Sequence, residues 1–328
     1  MDLAVLTSGL FKGTPAGREL LVATSIGWKV KRLLQSNHWT GRVHSVFSSA
    51  FNVRTPDGQV FGILSGQDRH CLAVNVRRQP LSARLSIGMP VTTRNGWMVI
   101  PDAGLEIYLE SSHIWRGANS PLRPGTYERV ARAAHAAACT GCLHGSLDGL
   151  GGLLPGLAGC SAPGRANPEP DRWAVRAKAA LGDLLQALAS RNPWAAARAT
   201  KAIAGLGPGL TPAGDDLLAG LIGAWWWRER AFGRQSALMQ RCLGAVASAA
   251  SDCTNIFGYQ AIRCASQGEL PEAALGVVKA IITGSDTLLE GVVPSLLAFG
   301  ATSGTDMLTG ICLAFMPLNR SEQKYLAL

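Results

Sequence analysis

Gly205-Leu206-Gly207-Pro208-Gly209-Leu210-Thr211-Pro212-Ala213-Gly214-Asp215-Asp216-Leu217-Leu218-Ala219-Gly220 is the most unusual stretch of this chain. Gly205, Gly207 and Gly209 fall within five residues and force a loop whose backbone can approach a ligand closely. Thr211 followed by Pro212 predicts an N-cap with proline at the first helical position, so the loop ends at a helix N-terminus. Such an end presents unpaired N–H groups and a positive dipole, suited to a phosphate or a carboxylate. A nucleotide P-loop is excluded, because no Lys follows the last glycine and no strand precedes the loop. Asp215 and Asp216 also have a plain role, since acids in a first helical turn stabilise the dipole by ~0.3–1 kcal/mol.

A second copy stands near the end of the chain: Gly300-Ala301-Thr302-Ser303-Gly304-Thr305-Asp306-Met307-Leu308-Thr309-Gly310. Both copies fit Gly-x-Thr…Gly-x-Asp-x-Leu-x-Gly with a gap of one residue between them. In each, a small polar loop enters a helix, an Asp sits in the first turn, and Gly220 or Gly310 follows one turn later, where it allows close helix approach. The expectation is a pseudo-repeat whose two helix ends converge on one polar pocket. Asp215, Asp216 and Asp306 are its candidate catalytic residues. Gly207, Gly209, Leu210, Thr211 and Gly214, with Thr302, Ser303, Gly304 and Thr305, are its candidate substrate- or anion-binding residues. Ser251-Asp252-Cys253-Thr254-Asn255 adds Thr254 and Asn255 to that set, although helix capping by Ser251, Asp252 or Thr254 is the favoured reading of this cluster. The residues fix no cofactor: Asp216 and Asp306 can hold Mg²⁺ through oxygen ligands, or accept N–H bonds from an amide-bearing substrate while backbone N–H groups hold its anionic end.

Outward from the motifs, nearly everything from residue 171 is helical in pattern, over 171–190, 192–205, 215–232, 235–250, 254–267, 271–283, 286–299 and 304–315. Upstream the pattern changes. Residues 15–35 read as an amphipathic helix, with Leu20, Leu21, Ile26, Val30, Leu33 and Leu34 on one face. From Gly41 to about Trp115 come short β-branched runs (Val43 to Val53, Val60 to Leu64, Leu72 to Val76, Leu81 to Ile87, Trp97 to Ile100, Leu105 to Leu109). Asp57-Gly58 and Asn95-Gly96 between such runs are hairpin turns. The fold class is therefore α+β: a mostly antiparallel, partly closed sheet of five to seven strands, then an all-helical bundle. Three segments are expected: a basic β-rich domain over 1–130, an alanine-rich helix and Gly/Pro linker over 131–170, and a helical domain over 171–328. The stretch Pro155 to Pro170 reads as loop.

Composition narrows the function. The chain has 328 residues, 47% hydrophobic and 16% charged, which excludes disorder over most of its length. Its longest apolar run near Leu217 to Trp227 is too short for a membrane span, and Met1-Asp2-Leu3-Ala4 lacks the features of a secretory signal, so a soluble, cytoplasmic protein is expected. The eight cysteines are scattered, which points to free thiols. The net charge of +9 concentrates in the first 130 residues, but without a basic run or stacking aromatics to bind nucleic acid. Small anions and acidic partner subunits are the expected company. His135, Cys139, Cys142 and His144 imitate zinc spacing, yet no second Cys-x-x-Cys completes a site. Trp225-Trp226-Trp227 spans three helix faces, and a subunit contact is the economical reading.

Through Gly207-Pro208-Gly209-Leu210-Thr211-Pro212-x-Gly214-Asp215-Asp216 and Ser303-Gly304-Thr305-Asp306-Met307-Leu308-x-Gly310 the chain resembles the AllH-like family. One branch of this bacterial family is named as a subunit of oxamate carbamoyltransferase, acting with two other subunits in anaerobic allantoin breakdown. The resemblance covers most of the chain. It implies carbamoyl transfer between carbamoyl phosphate and oxamate or a similar amide or ureido acid, by positioning and electrostatic stabilisation without a covalent step. The signatures of ordinary carbamoyltransferases, Ser-Thr-Arg-Thr and His-Pro-x-Gln, are absent. Three readings therefore stand: a carbamoyltransferase-type subunit, a metal-dependent hydrolase or phosphotransferase using the three aspartates, and a non-catalytic scaffold whose glycines only allow close packing.

Overall fold

The structure, a computed structural model, describes residues 18–35, 38–66, 68–78, 81, 84–117, 122–159 and 172–316. The chain forms two compact units, residues 1–116 and 117–328.

The first unit is a β-barrel. Its strands are β1 (Glu19–Gly27), β2 (Thr40–Val46), β3 (Ala50–Arg54), β4 (Val60–Ser65), β5 (Ala73–Val76), β6 (Pro90–Arg94), β7 (Trp97–Ile100), β8 (Leu105–Tyr108) and β9 (His113–Trp115). They lie in the order β5-β4-β3-β2-β6-β7-β8-β1-β9, and pairing of β5 with β1 closes eight of them into a ring. The β1–β8, β1–β9 and β4–β5 pairs are parallel; the other pairs are antiparallel. The sheet is thus fully closed and has more strands than the sequence suggested, and closure leaves the ring without unpaired edges. Ile26, Phe51, Phe61, Ile63, Val74, Val91, Met98, Ile100 and Ile107 are buried in its core.

The hairpin turns have a direct physical basis. Asn95 (φ 48°) and Gly96 (φ 79°) both take left-handed backbone between β6 and β7, where Arg94 pairs with Trp97. Gly58 (φ 87°) turns the chain between β3 and β4. Three expectations are corrected. Residues 19–27 form a strand rather than a helix, followed by α1 (Trp28–Leu33), while residues 15–17 lie outside the described residues. Leu21, Ala23 and Ser25 are buried in alternation, which is the period of a strand. The run from Val43 to Val53 is a hairpin of two strands, and residues 81 and 84–87 hold no strand.

The second unit is helical: α2 (Tyr127–His144), α3 (Leu154–Ala158), α4 (Arg172–Ala189), α5 (Pro193–Thr200), α6 (Ala213–Ala231), α7 (Ala237–Ala250), α8 (Ile256–Ala265), α9 (Glu272–Thr283), α10 (Asp286–Leu297) and α11 (Ser303–Phe315). A 3-10 turn, Gly149–Leu153, precedes α3. The expected loop over 155–170 begins instead in α3; from residue 160 it lies outside the described residues. No helix among the described residues is long and apolar enough to cross a membrane.

Helices α6 and α11 form the centre. All of α11 from Gly304 to Phe315 is buried, and so is α6 from Ala213 to Trp225. A helix apolar on every side is one enclosed by others. Two of the three tryptophans belong to this interior: Trp225 and Trp227 are buried, and Trp227 Nε1 donates to the Gly268 carbonyl at 2.9 Å, while Trp226 is half-buried. Only glycine fits at Gly268, where a Cβ would lie 2.4 Å from the Trp226 ring.

Candidate functional site

The two motifs meet because glycine lets α6 and α11 touch backbone to backbone. A Cβ on Gly220 would lie 2.1 Å from the Met307 carbonyl oxygen, and one on Gly310 would lie 2.0 Å from the Leu217 carbonyl oxygen. These are equivalent contacts, since each glycine is four residues beyond its motif Asp and each carbonyl one residue beyond the other Asp. The equivalence continues toward the N-termini. Gly214 donates to the Leu206 carbonyl and Gly304 to the Phe299 carbonyl, both at 2.9 Å. Asp216 N–H donates to the Pro212 carbonyl, and Asp306 N–H to the Thr302 carbonyl. The motifs are thus two copies of one structure exchanging contacts across a local pseudo-twofold relation.

At the loop end of this junction Thr211 Oγ1 and Ser303 Oγ lie 3.2 Å apart. Both hydroxyls lie near enough to the Asp216 carboxyl to favour its charged form. Asp216 is only 3% exposed, and its Oδ2 has no hydrogen-bond partner among the described residues. Burial pushes this carboxyl well above the ordinary carboxylate range, and the nearby charges of Asp306 and Asp215 push the same way, against the hydroxyls of Ser303 and Thr211.

Asp306 is equally buried but differently used. Its Oδ1 accepts from the N–H groups of Leu150 at 2.7 Å and Gly151 at 2.9 Å. The neighbouring Thr305 hydroxyl accepts from Ser146 N–H at 3.1 Å. Leu150 and Gly151 belong to the 3-10 turn that the sequence reading passed over as the approach to a linker. The signal was present in Gly149-Leu150-Gly151-Gly152, because a Cβ on Gly149 would lie 3.1 Å from Asp306 Oδ1 and one on Gly151 2.2 Å from the Ser146 carbonyl oxygen.

Asp215 points elsewhere. Its Oδ1 accepts from Gly205 N–H at 2.8 Å, and its Oδ2 accepts from the Thr254 hydroxyl. Burial raises this carboxyl too, opposed by those two donors. Asn255 caps α8, its Oδ1 accepting from Phe257 and Gly258 N–H, and its Nδ2 donates to the Leu210 carbonyl at 2.9 Å. Asp215, Thr254, Asn255 and Leu210 therefore tie the glycine loop to the start of α8. The cap is Asn255, not Ser251, Asp252 or Thr254.

Two further expectations change. Thr211 does not cap α6; the helix begins at Ala213 with Pro212 before it, and Thr302 at α11 likewise makes no side-chain cap. From the second residue of each helix the N–H groups are engaged: Gly214, Asp215 and Asp216 by Leu206 and Pro212 carbonyls, Gly304, Thr305 and Asp306 by Phe299 and Thr302 carbonyls. Gly207 (φ 102°) and Gly209 (φ 105°) hold the loop in backbone that other residues rarely adopt.

Asp215 is engaged within the protein, since both its oxygens accept from N–H or O–H groups, and Asp306 Oδ1 accepts two N–H groups. In the zinc-like set, Cys139 Sγ lies 3.7 Å from His135 Nδ1 one helical turn away, Cys142 is buried and His144 is exposed.

A family model described as oxamate carbamoyltransferase subunit AllH matches residues 203–315, a span that includes both Gly/Asp motifs. A second, described as the AllH family N-terminal domain, matches residues 22–114, which form the barrel. No solved structure matches the chain.

Proposed function

The chain belongs to the AllH family, and from that premise we propose that it is a subunit of a carbamoyltransferase-type enzyme whose substrate amide meets the buried Asp216 carboxyl. The observation that carries this reading is the partnerless Oδ2 of Asp216 at the meeting point of the two motifs. In transfer from carbamoyl phosphate to oxamate or a similar amide or ureido acid, the acceptor nitrogen attacks the carbamoyl carbon. A C–N bond forms, the C–O bond to phosphate breaks with its electron pair leaving on phosphate, and the nitrogen gives up a proton. Asp216 is the group that takes that proton, since a carboxyl raised above its usual range is a better base than an ordinary one. Ser303 and Thr211 orient it through their hydroxyls. Asp215, Thr254 and Asn255 are positioning residues, holding the loop that carries Gly207, Gly209, Leu210 and Thr211.

A scaffold reading has one observation of its own, the direct contact of Gly220 and Gly310 with the opposite backbone. Rates separate the two. The chain assembled with its partner subunits is assayed for phosphate release from carbamoyl phosphate and oxamate. Asp216→Asn lowers kcat by about 10²–10⁴-fold at unchanged assembly if Asp216 handles the proton. Equal rates in wild type and variant leave the scaffold.

A further inference from the structure

We infer that the outer face of the barrel over strands β3, β2 and β6 is the surface on which an acidic face of a partner subunit docks. This docking is independent of the reaction proposed above, apart from the shared premise that the chain works as a subunit.

Strands β4, β3, β2, β6 and β7 are successive neighbours in the ring, and together they carry three arginines and no Asp or Glu. Alternation along each strand decides where these arginines point. Val43 and Val53 are partners across β2 and β3 and lie in the core, so the next pair, Arg42 and Arg54, stands on the outer face, and both are exposed. Arg94 on β6 is exposed where Val91 and Thr93 are buried. None of the three makes an ion pair among the described residues. On the opposite side of the ring the arginines are neutralised: Arg18 pairs with Glu106 of β8 at 3.0 Å, and Arg78 with Glu19 of β1 at 2.8 Å.

Like charges directly opposite each other on neighbouring strands repel. Arg42 and Arg54 are such a pair, and Arg42 is fixed there by donating to the Gly88 carbonyl at 2.9 Å. The carboxylates at the strand ends are placed otherwise, since Asp57 is engaged by Thr55 and Gln59, and Glu110 lies against the Gly96 turn. A surface that brings carboxylates to this face relieves the repulsion, because guanidinium groups bind carboxylates through paired N–H bonds. The spacing selects a protein over a nucleic acid. Arg42 is level with Pro90, so Arg94 lies four residues, about 13 Å, further along the sheet, with Thr40 and Thr92 paired between them. A phosphate chain carries a charge every ~3.4 Å per strand and asks for a continuous cationic track. Two cationic points with hydroxyls between them suit acidic side chains on a folded surface. The Trp97 and Tyr108 rings, 4.9 Å apart, pack on each other rather than spreading to stack on bases. The same face of a second copy is excluded by its like charge.

The test is the rate at which the full-length chain associates with its partner subunits, followed at low and at high salt. The triple variant Arg42→Gln/Arg54→Gln/Arg94→Gln is compared with wild type and with Arg18→Gln, which alters a paired arginine on the opposite side. The triple variant is expected to associate about ten- to a hundred-fold more slowly at low salt and to lose most of its salt dependence, while Arg18→Gln matches wild type. Thermal melts check folding, and removing the Arg42–Arg54 repulsion leaves Tm unchanged or raised. The corresponding triple Lys variant keeps the charge and the fast rate; slow association there overturns the electrostatic account. Equal rates for wild type and the triple Gln variant overturn the inference and leave the subunit reading in place. No association of wild type with any partner subunit overturns both. Binding of a single-stranded oligothymidylate that is lost in the triple Gln variant, with subunit association unchanged, overturns the inference in favour of nucleic acid.

Discussion

Thr211 and Ser303 are 92 residues apart in the chain, and their side-chain oxygens lie 3.2 Å apart beside the Asp216 carboxyl. Neither residue caps the helix it precedes or begins. From its second residue on, each helix start satisfies its N–H groups from the carbonyls of its own loop, without a side-chain cap. A repeat in sequence has become one polar centre between two apolar helices.

The close approach of α6 and α11 predicts intolerance of one methyl group. Gly220→Ala and Gly310→Ala each place a Cβ about 2 Å from a backbone carbonyl, where no side chain can swing aside. Overpacking of this kind costs at least about 1–3 kcal/mol. Gly244→Ala, in α7 with open space around it, is the control and raises stability by about 0.4–1 kcal/mol. Urea unfolding of the three variants gives the comparison; equal stabilities contradict the packing account.

Asp216 and Asp215 carry raised carboxyls, which fixes the sign of a pH dependence. A carboxyl whose folded pKa exceeds its unfolded value near 3.8 binds its proton more tightly when folded. Its contribution is fully favourable below pH 3.8 and is lost as pH rises through the folded value. Asp216→Asn removes that loss, so the variant gains on wild type as pH increases above about 4. Thermal melts across that range check it. A gap of constant size at every pH means Asp216 is not shifted.

Asp306 holds a turn that no regular element would hold. Asp306→Ala leaves the N–H groups of Leu150 and Gly151 buried without an acceptor, at about 1–3 kcal/mol. Amide hydrogen exchange reads this locally: protection at Leu150 and Gly151 falls more than protection along α7. Unchanged exchange at these two amides places their hydrogen bonds elsewhere.

Asn255→Ala separates the loop from the helix it is tied to. Loss of the cap on Phe257 and Gly258 costs about 1 kcal/mol. The bond to the Leu210 carbonyl goes with it, so the glycine loop loosens. Limited proteolysis near Leu210 speeds up in the variant; equal cleavage rates show that the loop is held without Asn255.

Much of this was legible in the residues, and what was missed has physical causes. The Gly/Asp copies marked their helices because glycine and first-turn acids act locally, and Asn95-Gly96 marked its hairpin for the same reason. Strand β1 was misread because Leu20, Leu21 and Ile26 also satisfy a helical spacing, and only its pairing with β8, β9 and β5 decides for the strand. Barrel closure depends on that same non-local pairing. The Leu150–Gly151 contact with Asp306 joins residues 156 and 155 positions apart through backbone N–H, which every residue type carries, so only the close-set glycines of Gly149–Gly152 hinted at it. The convergence of Asp216, Thr211 and Ser303 was readable as a repeat. The diversion of Asp215 to Gly205 and Thr254 was not, because two adjacent aspartates look alike until the helix assigns them different faces.

The most direct measurement is the titration of the Asp216 carboxyl carbon by NMR in Asp-labelled protein, assigned with Asp216→Asn, with and without carbamoyl phosphate. The account predicts a midpoint well above 3.8 in the free chain and a displaced midpoint when the ligand is present. An Asp216 signal that titrates like an ordinary exposed carboxylate and does not move with ligand contradicts a buried acceptor at the junction of the two motifs.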